Sequence, residues 1–309
     1  MKRRDHMPKF MKKGAYLFIY PLLLIAAFDM FRYIYINISS ITLAFTTENL
    51  FTGEKTFTWE WFEKMFLQFS LAESNLKVAV GNTFKFFVMY FAKTLISFTV
   101  GYFLYKKVLG YKIFRVIFYI PCLVSPIILV NIWKNMLGPG GMFNRLWVYG
   151  FGLEYADPLS SSSNMAIWII LIFSFWGGFG TDLLIFVGAM NRIPQEVLDA
   201  GEIDGCGMGR EFFSLIIPLV WETLSTMLML QSMSLFTATG PILYFTPNNT
   251  STYTLQYYIF NLLYGSGGGG GVNEYNQVAA IGLFFTMIAL PLVITGRLIM
   301  SRANKDVAY

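Results

Sequence analysis

The chain has 309 residues, of which 55% are hydrophobic, 18% aromatic and only 13% charged, with a mean hydropathy of +0.53. A soluble core of this length does not need so much apolar surface, so the composition describes a polytopic membrane protein and overrides the two-domain prior that length alone suggests. The net charge of +5 does not point to nucleic acid, because Lys and Arg stand at the ends of apolar segments and not along one face.

Other chemistries are excluded by residue type. The single histidine, His6, lies in a basic tail, which removes histidine catalysis and any clustered His metal site from the membrane region. Cys122 lies in an apolar span and Cys206 in a glycine-rich stretch between spans, so a stabilising disulfide between them is not expected. Metal-binding motifs are missing, and so is a G-x-x-x-x-G-K-[ST] phosphate loop, so the chain binds no metal, cofactor or ATP by motifs of its own.

Residues 1–14 form a basic tail holding Lys2, Arg3, Arg4, Lys9, Lys12 and Lys13. The apolar run after it continues past Asp29 and Arg32 for about the ~20 residues a bilayer requires, without a small-residue cleavage site, and so reads as an uncleaved first span over 15–38. Further spans are expected at 83–105, 113–135, 165–189, 212–236 and 278–300, making six in an all-α fold. Residues 15–309 would then form one transmembrane domain. The basic residues of the tail, of the 106–115 link, of the 193–218 stretch and of the C-terminal end fall on one side. The positive-inside rule makes that side the cytoplasm, with both termini in it. Loops 39–82, 136–164 and 237–277 face outward; the first carries the aromatic run Thr58 to Phe66, suited to the membrane interface, and the last a flexible glycine run at 267–271.

A charge at the centre of a membrane helix costs roughly 2.5–3.5 kcal/mol, so each one needs a reason. Asp29 and Arg32 stand three apart on the first helix and can pair. Lys93 is expected to snorkel or to face a protein interior, and Asp182 to reach headgroups at the cytoplasmic end. Asn131, Trp133, Ser174, Trp176, Gln231 and Ser234 could together line a polar pathway for a hydroxyl-rich solute, although helix–helix hydrogen bonding accounts for each one singly. Pro21, Pro121, Pro126, Pro218 and Pro291 interrupt four of the six helices.

The longest charged interruption is Ile193 to Pro218, reading I-P-Q-E-V-L-D-A-G-E-I-D-G-C-G-M-G-R-E-F-F-S-L-I-I-P. A helix should start after Pro194, and Gly205, Gly207 and Gly209 should stop it from running on. The stretch resembles the cytoplasmic coupling motif of carbohydrate-type ABC importer permeases, E-A-A-x3-G-x9-I-x-L-P. Asp199, Ala200 and Gly201 stand at the first three positions, Gly205 is the glycine, and Leu215, Ile217 and Pro218 close the motif, every spacing being kept. Glu196 and Asp204 belong to flanking residues that also match, I-P-Q-E and D-G. Asn82-Thr83, R-V-I-F-Y-I-P at 115–121 and T-G-P at 239–241 extend the resemblance over most of the chain.

The resemblance implies a type I importer permease fold, similar to that of the methionine importer permease, in a bacterial or archaeal inner membrane. It implies that Glu196, Asp199, Ala200, Gly201, Asp204, Gly205, Leu215, Ile217 and Pro218 serve docking to a separate cytoplasmic ATPase, which would hold ATP and Mg. The implied partners are a second permease, two ATPase subunits and an extracytoplasmic solute-binding protein, and the implied cargo is a sugar or oligosaccharide. Two other classes ask for different residues. An ion-coupled transporter would want inverted repeats and membrane acids. An enzyme acting on lipid-linked substrate would want converging His, Asp, Glu or Cys at membrane depth.

Overall fold

The computed structural model describes residues 9–49, 52–71, 74–150, 152, 157–160, 165–265 and 271–305. The first eight residues of the basic tail, part of the serine cluster in the 136–164 loop and most of the glycine run lie outside these. The chain divides into two compact units, Met1–Met65 with Gly270–Leu283 and Phe66–Gly269 with Phe284–Tyr309.

Helix α1, Lys9–Ala44, runs past the expected end at residue 38 and carries Pro21 without a break. Every side chain from Ile19 to Ile38 is exposed, as expected of a lipid-facing span, and Arg32 pairs with Asp29 at 3.1 Å as the sequence suggested. The expected loop 39–82 is not all coil: β1 (Thr46–Glu48) and β2 (Lys55–Phe57) form a small antiparallel hairpin, and α2 (Glu60–Ser70) follows. The Trp61 indole N–H donates to the Thr46 carbonyl at 2.9 Å and Asn276 donates to the same oxygen at 2.7 Å. Trp61 is thus buried with Ala44 and Ala280, while Trp59, two residues earlier, stays exposed.

In the second unit α3 (Asn75–Tyr105) is one unbroken helix without proline. The next expected span, 113–135, is not straight: α4 (Tyr111–Leu123) meets at 105° the run Pro126–Gly150, which α5 (Pro126–Leu137) opens. Pro126 has no N–H to give, and the residue before a proline is driven out of the helical region, as Ser125 is with ψ 132. A short α6 (Met142–Arg145) passes into a π-helical turn, and α7 (Met165–Met190) is again a straight span. Helix α8 (Gln195–Ile203) precedes α9 (Met208–Glu211), which continues through a π-helical turn at Phe212–Ile216 into α10 (Ile217–Leu219). That run meets α11 (Trp221–Met233) at 74°, breaking the span expected over 212–236 at Val220. Pro218 offers no N–H to the carbonyl one helical turn back, which suits a π-helical turn just ahead of it. Short helices α12 (Ile242–Phe245) and α13 (Leu255–Tyr264) lead to α14 (Val272–Lys305), which keeps Pro291 inside it.

Among the described residues four helices are long and apolar enough to cross a membrane, and six spans result if each bent pair crosses once. The prolines therefore do less than the sequence suggested: Pro21, Pro121 and Pro291 lie inside helices that run on, and the breaks fall beside Pro126 and Pro218. The core of the second unit gathers Phe98 and Tyr102 of α3, Phe186 and Met190 of α7, Leu198 of α8, Ile216, Val220, and Leu224 of α11.

Candidate functional site

Helix α8 is the predicted helix after Pro194, and its end has a definite geometry. Gly205 takes φ +73, the left-handed region that favours glycine. The Cys206 N–H donates to the Gly201 carbonyl at 2.9 Å and the Gly205 N–H to the Glu202 carbonyl at 3.0 Å. These two bonds make a Schellman ending, which satisfies carbonyls the helix would otherwise leave open. Gly207 then starts the next helix, and Gly209 lies inside it, so only Gly205 is needed for the turn.

One face of α8 is rooted and the other is presented. Leu198 is buried in the core, and burial of a leucine contributes roughly 1.5–3 kcal/mol. Gly201 is buried too: a Cβ there would lie 2.6 Å from Leu215 Cδ1, so its smallness serves a contact inside this chain. Glu196, Asp199, Ala200, Asp204 and Gly205 are exposed, and Ile203 is 86% exposed. Asp199 accepts a bond from the Gln195 amide at 2.9 Å on the same face. Glu196, in the first turn, suits the positive end of the helix dipole. Leu215, Ile217 and Pro218 are half-buried, and Ile216 between them is fully buried.

Contacts at three places along α3 were not legible in the sequence. Lys106, just past the end of α3, sits 2.9 Å from both carboxylate oxygens of Glu211, and the Tyr102 hydroxyl donates to the Met208 carbonyl at 3.1 Å. Near the other end of α3, the Asn82 amide donates to the Ser251 and Tyr253 carbonyls at 2.8 and 3.0 Å. Thr83 Oγ1 accepts the Leu255 N–H at 2.8 Å. Between them Lys93 and Asp182 pair at 3.1 Å. Lys93 thus faces the protein interior, one of its two expected placements, and the expectation for Asp182 is corrected: it does not reach for headgroups, because Lys93 is its partner across α3 and α7. Sequence offered one pointer, the Asn82-Thr83 pair, and gave no reason for it.

The six pathway residues do not converge as a set. Trp133 and Trp176 do meet, with ring centres 5.8 Å apart, and Phe173 lies edge-on to Trp133 at 5.5 Å and to Phe245 at 5.0 Å. The Ser174 and Ser234 hydroxyls are spent on the Ile170 and Gln231 carbonyls of their own helices, at 2.7 Å each. Asn131 is exposed and Gln231 half-buried. Beyond Phe245 a cavity of about 440 Å³ opens between Lys134, Asp157 and the Thr246–Asn249 loop.

Comparison with known proteins agrees with this geometry. The family model described as binding-protein-dependent transport system inner membrane component matches residues 93–309, well over half of the chain. The probable ABC transporter permease protein YesP of Bacillus subtilis is 28% identical over 210 residues, covering 66% of this chain and 64% of that protein. The diacetylchitobiose uptake system permease protein NgcF of Streptomyces coelicolor is 24% identical, covering 60% and 52%. The sn-glycerol-3-phosphate transport system permease protein UgpA of Pectobacterium atrosepticum is 26% identical, covering 43% and 44%. The chain thus spans less than two thirds of the length of each of these relatives. In fold, a chain of a bacterial alginate ABC transporter, crystallised with an alginate pentasaccharide-bound periplasmic protein, superposes with a TM-score of 0.74 at 17% identity, covering 96% of this chain and 98% of that one.

Proposed function

Because the chain belongs to the family of binding-protein-dependent transport system inner membrane components, we propose that it forms half of the pathway of an ATP-driven importer for a sugar or oligosaccharide. It is a multi-pass transport subunit and not an enzyme; in this reading ATP and Mg belong to a separate ATPase. A second permease completes the pathway, and an extracytoplasmic solute-binding protein delivers the cargo. Residues 15–309 act as one permease domain, and basic-residue bias puts both termini and α8 in the cytoplasm.

The observation that carries this reading is the presented face of α8. A short helix rooted by Leu198 and Gly201, closed at Gly205 and displaying Glu196, Asp199 and Ile203 is built to be gripped from outside. An exposed Ile203 beside carboxylates offers an apolar anchor with a charged rim, the pattern of a protein interface. Ala200, Asp204 and Gly205 keep that face low, while Leu215, Ile217 and Pro218 hold it to the membrane helices. Toward the cargo, the flat faces of Trp133 and Trp176 suit the C–H faces of a sugar ring. Relatives named for diacetylchitobiose and glycerol phosphate, and a fold neighbour named for alginate, support a hydroxyl-rich cargo.

The test is Asp199→Lys, which reverses the displayed charge without touching the core. Native purification of the unsubstituted chain should bring an ATPase with it, and the variant should lose most of that ATPase together with uptake. Retention of both would refute the coupling role.

A further inference from the structure

Helix α3 touches the coupling region at one end and the outer loop at the other. From Asn82 to Lys106 it rises about 36 Å at ~1.5 Å per residue, more than the ~30 Å of a bilayer's hydrocarbon core. Below, the helix end is joined to the run following α8 by Lys106–Glu211 and by Tyr102 to Met208. Above, Asn82 and Thr83 bind the backbone of Ser251, Tyr253 and Leu255. That loop is itself stiff: the Thr246 and Thr252 hydroxyls lie 2.8 Å apart, Asn249 caps Ser251 at 3.1 Å, and the Tyr253 and Tyr257 hydroxyls both donate to the Pro247 carbonyl.

Two covalent routes leave the coupling region: α7, which enters α8 directly, and α10 with α11, which passes the 74° bend at Val220. A bend lets an angle change without displacing the far end, whereas an unbroken helix transmits axial movement and rotation along its whole length. At mid-height Lys93–Asp182 makes α7 move with α3.

We propose that α3 is the rod that carries the coupling motion across the bilayer, with Lys106, Glu211 and Tyr102 as positioning residues of its cytoplasmic joint and Asn82 and Thr83 as those of its outer joint. The proposal rests on the coupling reading of α8 and adds to it the path by which movement there reaches the outer loop.

The experiment uses the whole importer in vesicles, with Cys122 and Cys206 replaced by serine and the exposed loop residue Asn248→Cys as reporter. Its rate of labelling by a membrane-impermeant maleimide is compared before and after trapping the ATPase with ATP and vanadate. In the reporter background trapping should change the rate at least threefold. Lys106→Gln, at one joint, and Asn82→Asp, which keeps size but removes both donated bonds at the other, should each reduce the change below 1.5-fold and lower uptake about tenfold, while the ATPase stays bound and hydrolysing. The exchange Lys106→Glu with Glu211→Lys should restore both readings to within threefold, a rescue that a merely destabilising change would not give. Tyr102→Phe, which removes one hydroxyl, replaces Lys106→Gln if that variant does not assemble. A labelling change that survives in both joint variants, or that is missing from the reporter background, overturns the rod. If no ATPase accompanies even the unsubstituted chain, the coupling reading itself has failed, and the rod with it.

Discussion

Lys93 and Lys106 belong to the same helical rod and each holds a carboxylate from elsewhere in the chain, yet the surroundings give the two pairs different work. Lys93 and Asp182 are 7% and 6% exposed, midway along two packed membrane helices. Lys106 and Glu211 are 31% and 12% exposed at the end of α3 that meets the run after α8. In the first place both ions are held away from water, the Lys93 ammonium also lying 5.4 Å from the Tyr90 ring centre, so the pair is a fixed tie between α3 and α7. In the second, water competes for the lysine, and the pair can open and close without loss of the fold. The same chemistry serves as a weld in one place and as a joint in the other.

Removing one partner of the inner pair should therefore have the largest effect. Asp182→Asn leaves a buried ammonium without its counter-charge, a cost of about 3–5 kcal/mol, and should lower the detergent-solubilised Tm sharply. The double change Lys93→Met with Asp182→Leu should recover much of that loss, since it buries no charge. If D182N melts with the unsubstituted chain, the weld is not one.

Next comes the joint at the Asn82 end of α3. Asn82→Leu strips the Ser251 and Tyr253 carbonyls of their donors, at about 1–3 kcal/mol for a buried group left unmade. Hydrogen exchange should quicken at Leu255 and through α13 while the α8 region stays protected. Gly205→Val forces a β-branched residue into φ +73 and should cost about 1–3 kcal/mol. Its mark would be fraying of α8 and loss of the accompanying ATPase, with the inner helices unaffected.

The smallest stability change is expected at the Lys106–Glu211 pair. Lys106→Gln should shift unfolding by no more than about 1 kcal/mol, because a half-solvated pair is weak and salt-screened. Raising ionic strength should erase the difference between K106Q and the unsubstituted chain while leaving the Asp182→Asn deficit intact. A deficit at Lys106 as large and as salt-proof as that at Asp182 would collapse the distinction between weld and joint.

Much of this architecture was legible in the sequence because its signals are local. Apolar runs of bilayer length gave the spans, and Pro194 and Gly205 gave α8 its start and stop. The i, i+3 spacing gave the Asp29–Arg32 pair. The signals also misled where a local rule met packing. A proline is only a weak forecast of a break in a membrane helix, since neighbours can satisfy the freed carbonyl. Pro21 and Pro291 accordingly lie in unbroken helices, and the bends came at Ser125 and Val220.

The sequence by itself determined that this chain lives in a membrane, how many apolar segments it carries, and which short helix stands out between them, because hydropathy, capping and turn chemistry act over a few residues. Only the tertiary structure decided which polar residues belong together. Lys106 finds Glu211 across 105 positions and Asn82 finds Tyr253 across 171, and nothing local marks either choice. In a low-dielectric surround a buried charge or amide must find a partner, but which one it finds is fixed by helix packing.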